Sequence, residues 1–561
     1  MLHDQIYSHL AFLYGEAQAD ALAPALIAHL AEFAAAHPEL GGALPTGQRL
    51  SQDDVILITY GDQVREDGAA PLRTLGDVLA TTLGDVVSGV HILPFYPYTS
   101  DDGFSVVDYQ AVDPALGTWA ELAPLRARYR LMYDAVINHI SASSAWFTGF
   151  LAGDPATRNY FITLDPATDV SLVTRPRTHP LLTRFDTADG ERWVWTTFSA
   201  DQIDLNVQNP AVLLELIDVL LRYVAEGASL IRLDAIGYLW KELGTRCIHL
   251  PQTHRVVQLF RTVMDVVAPH VLLVTETNVP HADNISYFGD GTNEAQMIYQ
   301  FPLAPLVLNA FQTGSAHHLN GWAAALAPPG PQTTFFNFLA SHDGIGVVPA
   351  TGILSTKEVG ALAEQVMAHG GRASYKTNTD GTQSPYELNI TLFDALSNPG
   401  DATDQYAIDR FTCANAIMLA LQGVPGVYIH SLLGSHNNYA GLAESGRART
   451  INREKWQRSD LEARLANDQS HESRVFTRMA ALIRQRRSHA AFHPAGAQQV
   501  LQAGEGLFAL LRTAPDGSER VLCLHNVSAE TQVLPPNLGV GLPNEIAPYQ
   551  VIWHVHQHAP G

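Results

Sequence analysis

Between about residues 55 and 430 the chain carries eight short, almost uninterrupted apolar runs: VILITYGD, GVHILPFYP, LMYDAVINH, SLIRLDAIGY, HVLLVTETN, AQMIYQFPL, TFFNFLASHD and VPGVYIH. Each is closed by turn residues and separated from the next by a stretch of helical period. Strands buried on both faces read this way, and strand-helix alternation requires a parallel sheet. Eight such units over roughly 380 residues predict an α/β fold, a (β/α)8 TIM barrel of the enlarged kind.

The remainder divides around that barrel. Residues 1–48 are rich in Ala and Leu, carry a helical period in LIAHLAEFAAAH and end in GGALPTG, so they read as an N-terminal helical segment preceding a barrel over 49–489. Two spacings exceed plain βα loops, about 90 residues between VINH and LIRLDA and about 80 between SHDG and VYIH. They predict insertions after strands three and seven, over about 141–200 and 345–400, on the face where a barrel places its chemistry. Over 490–561, runs such as GLFALLRTAPDGSERVLCLHNV predict a small C-terminal antiparallel β domain.

Charge and composition exclude several classes of partner. With 34 Lys and Arg against 56 Asp and Glu the net charge is −22, which disfavours nucleic acid, since that binding rests on cations neutralising phosphates. Cys247, Cys413 and Cys523 are odd in number and form no paired motif. The N-terminus lacks a cationic, apolar leader, and no run of about 18 apolar residues is present, so a cytoplasmic protein without a membrane span is expected. The 24 His show no HExxH context, no GxGxxG follows a strand, and GDGTNE and NTDGTQ lack the ligand spacing of an EF-hand loop. No metal and no cofactor are expected, and the partners are small molecules; the sequence carries no mark of oligomeric state.

The polar residues that carry information sit where apolar runs stop: Asn138 and His139, Arg232 and Asp234, Glu276, His342 and Asp343. They fall at the predicted ends of strands three, four, five and seven. Two carboxyls on facing strands suit nucleophile and general acid/base of glycosyl transfer. Arg232, two residues before Asp234 on the same strand face, favours an ionised nucleophile there. Glu276, in an apolar surround, suits the acid, and Asp343 suits stabilisation of an oxocarbenium-like transition state.

DAVINH, RLDAIGY, the Glu276 strand and SHDG resemble the four motif blocks of the α-amylase family, glycoside hydrolase family 13, over about residues 50–490. ITYGD, VHILPFYP with DDGFSVVDY, RPR and GRARTINR are most similar to its sucrose phosphorylase group. The resemblance implies Asp234 as nucleophile, Glu276 as acid/base and Asp343 as transition-state stabiliser. It implies Asp101, His139, Arg232, His342 and Arg449 as holders of the glucosyl unit, with Tyr238 in the same substrate-binding set.

The first insertion concentrates Arg175, Arg177, His179 and Arg184 in a chain poor in cations, and guanidinium forks suit phosphate as the attacking group. Resemblance makes Arg177, of RPR, a phosphate contact. In the second insertion, Ser384-Pro385-Tyr386-Glu387 stands where sucrose phosphorylases carry Asp-Leu-Tyr-Gln; the phosphate-linked tyrosine is kept and the fructose contacts are not. ETNVPHADNISYFG, HLPQTH and GGRASYKTNTDGTQSPYELN instead resemble glucosylglycerate phosphorylases, and Arg175, Arg184, Arg372 and Lys376 are available for a glycerate carboxylate. Tyr386 and Glu387 join Arg175, Arg177 and Arg184 as expected phosphate and acceptor contacts. The expected activity is a retaining α-glucoside phosphorylase of glucosylglycerate. Sucrose, sucrose 6'-phosphate and glucosylglycerol are alternative substrates, a retaining α-glucosidase or transglucosylase is an alternative reaction, and a non-catalytic sugar-binding barrel is the remaining class.

Overall fold

The computed structural model describes residues 2–557 except 43–48, 178, 327–329, 378–381, 399–403, 537 and 539–540. All eight apolar runs form the strands of one closed, wholly parallel barrel. They are β1 Ile56–Thr59, β2 Gly89–Ile92, β3 Arg130–Ala135, β4 Ala228–Leu233, β5 Leu272–Thr275, β6 Met297–Tyr299, β7 Thr334–Asn337 and β8 Val424–Tyr428. Neighbours in sequence are neighbours in the barrel, and β1 closes on β8 with Ile56 opposite Gly426. Nearly every strand residue is buried, because the helices cover the outer face while side chains fill the lumen.

The long connections fold as small antiparallel units over the C-terminal strand ends. After β3, His139–Ser141 pairs with Gln202–Asp204 and clasps the base of an insertion whose sheet is Thr163–Leu164, Gly190–Trp195 and Leu182–Thr187. After β7, Ile345–Gly346, Gln383–Asn389 and Arg372–Thr377 make a second sheet, with helix Thr356–Ala368 opened by a reciprocal Ser355–Glu358 cap. At the far end, Ala497–Val500, Leu507–Thr513, Glu519–Asn526 and Val551–Gln557 form a four-stranded antiparallel sheet.

The N-terminal stretch forms helices Leu2–Tyr14 and Glu16–Ala36; the closing residues of GGALPTG lie outside the described residues. By length and composition alone, helix Glu16–Ala36 is apolar enough to cross a membrane. Here its buried stripe, Ala19, Ala23, Leu26 and Leu30, belongs to the main hydrophobic core, and the helix packs on Leu2–Tyr14 and Pro251–Val267. All three cysteines are buried and free.

Candidate active site

The strand ends converge on one guanidinium. Arg232, near the end of β4 and 2% exposed, donates through Nη1 to Asp134 of β3 and, at 2.7 Å, to Asp234 Oδ1; its Nη2 lies 3.7 Å from Glu276 Oε2 beyond β5. Asp134 is held in turn by His91 of β2 at 2.6 Å. Just past Asp234 the chain turns through Ala235, whose φ of 48° is left-handed, a conformation costing a non-glycine residue on the order of 1 kcal/mol. That turn aims the Ala235 N–H at Glu276 Oε2, 3.0 Å away.

Asp343, after β7, is held by Arg449 at 2.5 Å and lies 3.9 Å from Arg453. Arg449 also grips Glu387 with two bonds of 3.0 and 2.7 Å, so both Glu387 oxygens are engaged. Arg453 pairs with Asp102 and donates to the His342 carbonyl at 2.7 Å, and Asn452 donates to the Asp343 carbonyl at 3.0 Å. The segment after β8 thereby fixes the SHDG turn from behind.

The electrostatics divide the three acids. Burial pushes Asp234 and Glu276 both up, to about 7, against the pull of Arg232. Burial opposes charge on Asp343 too, but Arg449, then Arg453 and Arg232, bring its carboxyl below the ordinary range. His342 is kept neutral by burial and by the same arginines, and its ring stacks on Phe104 at 4.7 Å. Burial likewise keeps His139 neutral; its Nε2 faces the Phe104 carbonyl at 2.9 Å.

These groups line a cavity roofed by the two insertions. Asp101, His139, Arg232, Asp234, Tyr238, Glu276, His342, Asp343 and Arg449 all face it, and so do Arg177, Tyr386 and Glu387. Arg175 and Arg184 are not among the described residues that line it. Arg184 lies on the strand Leu182–Thr187, half exposed, paired with Glu191 at 2.9 Å and Asp186 at 3.6 Å, because the pleat turns its side chain toward carboxylates of its own sheet. Arg175 is partly buried with Nε and Nη2 unpartnered. Arg372 donates to the Gly371 carbonyl at 2.9 Å, and neither it nor Lys376 reaches the cavity wall as described.

Several lining residues were not singled out from sequence. Gln202 bridges Asp101, the Phe104 carbonyl and His139 at 3.4, 3.0 and 3.2 Å. Phe198 stands edge-on to Tyr238 at 5.4 Å. Nothing local marks either: they become neighbours only when the first insertion folds back. Beneath them Lys241 Nζ sits in an oxygen cage of Asn138 Oδ1 at 2.8 Å, Asp204 Oδ2 at 2.9 Å and the Leu239 carbonyl at 3.4 Å. Among the described residues no cluster of three or more His, Cys, Asp or Glu has the arrangement of a metal site. GDGTNE forms a turn in which Asp290 accepts from the Thr292 N–H at 2.8 Å, whereas residues 378–381 of NTDGTQ lie outside the described residues.

The alpha-amylase catalytic-domain pattern matches residues 82–352. A glucosylglycerate phosphorylase from Allomeiothermus silvanus is 53% identical over 98% of this chain and 98% of its own length. One from Escherichia coli K12 is 45% identical over 90% and 92% of the two chains. The crystal structure of sucrose 6F-phosphate phosphorylase from Thermoanaerobacter thermosaccharolyticum superposes with a TM-score of 0.75 at 25% identity, covering 86% of this chain and 96% of that one. With eight parallel strands, acids at the ends of β4, β5 and β7, and these relatives over nearly its whole length, the chain belongs to the alpha-amylase family, glycoside hydrolase family 13, within its group of glycoside phosphorylases.

Proposed function

We propose that this chain catalyses the reversible phosphorolysis of 2-O-α-D-glucosyl-D-glycerate to α-D-glucose 1-phosphate and D-glycerate, with retention at the anomeric carbon. The observation that carries this reading is the near full-length likeness to proteins bearing the name glucosylglycerate phosphorylase. The cavity chemistry supports it.

In the first displacement an Asp234 oxygen attacks C1 of the glucosyl unit. The bond from C1 to the glycerate oxygen breaks, and Glu276 delivers its proton to that oxygen. Arg232 favours this division of labour, since it lies nearer Asp234 than Glu276 and leaves the shared proton on the glutamate. Asp343, ionised beside Arg449, opposes the positive charge that develops at C1 and the ring oxygen. In the second displacement a phosphate oxygen attacks C1, the ester to Asp234 breaks, and Glu276 takes the phosphate proton back. Arg177 and Tyr386 line the cavity where they would hold that phosphate, while Asp101, His139, His342 and Arg449 would hold the sugar. We place the reaction in the cytoplasm, with a glucoside and inorganic phosphate as its partners.

The test is the reverse reaction: α-D-glucose 1-phosphate is supplied with D-glycerate, glycerol, fructose or fructose 6-phosphate, and phosphate release is measured. D-glycerate should give the highest kcat/KM. A win for fructose 6-phosphate or glycerol overturns the glycerate assignment, and a rate of glucoside cleavage indifferent to phosphate overturns the phosphorylase reading itself.

A further inference from the structure

His249, the first residue of HLPQTH, lies on the connection after β4 and lines the same cavity, yet no step above uses it. Its backbone is held at φ 55°, the left-handed region, where a non-glycine residue persists only if its surroundings impose it. They do so here: its N–H donates to the Gly237 carbonyl at 3.0 Å, and its ring packs over Gly237, where an added Cβ would stand 3.0 Å from Cε1. One ring nitrogen is also fixed, because Nδ1 lies 2.8 Å from the hydroxyl of Tyr287, itself fully buried with His254 stacked on its ring at 4.5 Å. The other nitrogen, Nε2, is buried and has no partner.

A phenol donates to a neutral imidazole more strongly than it accepts from one, so Tyr287 gives its hydrogen bond to Nδ1 and the imidazole proton resides on Nε2. Burial lowers the basicity of His249, to about 4, in keeping with a neutral ring. The ring is thus fixed in a residue of the cavity wall, with its proton on a nitrogen that has no protein partner. A buried donor without a partner is unfavourable, a cost that a bound oxygen removes. Asn278 lines the same cavity and offers a complementary orphan, its unpartnered Oδ1. Donor and acceptor together match a hydroxy acid, which brings carboxylate oxygens that accept and hydroxyls that donate.

We infer that His249 is a specificity-determining residue of the acceptor subsite, donating from Nε2–H to an oxygen of the departing or incoming acceptor, and that Tyr287 is the positioning residue that fixes its tautomer. The inference rests on the phosphorylase reading above. His249→Asn is the first variant, because asparagine tolerates the left-handed backbone but its amide falls short of the Nε2 position. In the reverse reaction the KM for D-glycerate should rise about tenfold with the KM for α-D-glucose 1-phosphate changed less than twofold, and kcat/KM for D-glycerate relative to glycerol should fall about tenfold. Tyr287→Phe keeps the ring in place but frees the proton to move to Nδ1; it should shift the same ratio in the same direction by a smaller factor, and it decides the matter should His249→Asn fail to fold. An unchanged ratio, or a common rise of both KM values, overturns the inference and leaves His249 a structural residue. Should the wild-type protein prefer another acceptor, the glycerate assignment falls, and the KM for that acceptor judges His249 by the same criterion.

Discussion

At the scale of single residues the site turns on how one proton is shared. Asp234 and Glu276 are both raised to about 7 by burial, and Arg232 stands 2.7 Å from the first and 3.7 Å from the second. The working form has Asp234 ionised and Glu276 protonated. Because the Glu276 value is raised, its acid form persists above the ordinary carboxyl range and is lost as pH climbs through about 7. The predicted kcat/KM for glucoside phosphorolysis therefore falls on the alkaline side from near neutrality. A pH–rate profile checks this, and a donor with a fluoride leaving group, which needs little protonation, should lose that alkaline limb. A limb that persists with the fluoride assigns the titration to another group.

At the scale of elements, the barrel supplies the acids and the insertions complete the wall. The strand Gln383–Asn389 is pinned opposite Ile345–Gly346 with Glu387 facing Gly346, which carries Glu387 to Arg449 and Tyr386 to the cavity. The first insertion is anchored by Lys241, whose ammonium joins Asn138 after β3, Asp204 on the return strand and the Leu239 carbonyl after β4. Asp204 is fully buried, so Lys241→Met strands its charge and should cost about 3–5 kcal/mol. Adding Asp204→Asn removes that charge, so the double variant should be more stable than Lys241→Met alone, a coupling that denaturant midpoints read directly. A double variant less stable than both single ones means the pair does not act as a unit.

At the scale of the molecule, the C-terminal sheet is joined to the barrel by two arginines, neither of which has a carboxylate in its hydrogen bonds. Arg486 and Arg512 are fully buried. Arg486 donates to the carbonyls of Gln52 at 2.6 Å, Leu419 at 3.0 Å, Gly423 at 3.1 Å and Phe492 at 3.3 Å. Arg512 donates to those of Ala420 at 2.8 Å, His493 at 3.0 Å and Ala497 at 3.3 Å. Together they satisfy the end of helix Ala407–Ala420, the entry to β8 and the first turn of the C-terminal unit. Arg512→Met leaves buried carbonyls without a donor and should lower the unfolding free energy by about 3 kcal/mol. Substrate KM should stay as it was, since the cavity is at the opposite end of the strands. A fall in urea midpoint without a change in KM is the expected pair of readings; an altered KM contradicts the division between the two ends.

The eight strands were legible because burial on both faces leaves a local mark, a short apolar run ended by turn residues. The placement of Asp234, Glu276 and Asp343 was legible for the same reason, since a polar residue that ends such a run in a barrel stands at its C-terminal rim. Loops carry no such mark. A cluster of arginines in the first insertion looked alike in sequence, yet only Arg177 reached the cavity, while Arg184 was taken by Glu191 and Asp186. Helix Glu16–Ala36 is long and apolar enough to cross a membrane, and only its packing against the chain gives its buried stripe a partner. Gln202 against Asp101 and His249 against Tyr287 are contacts between residues far apart in sequence. Periodicity is a property of a few consecutive residues and is written into them, whereas the wall of a cavity is made by segments that meet only after the chain has folded.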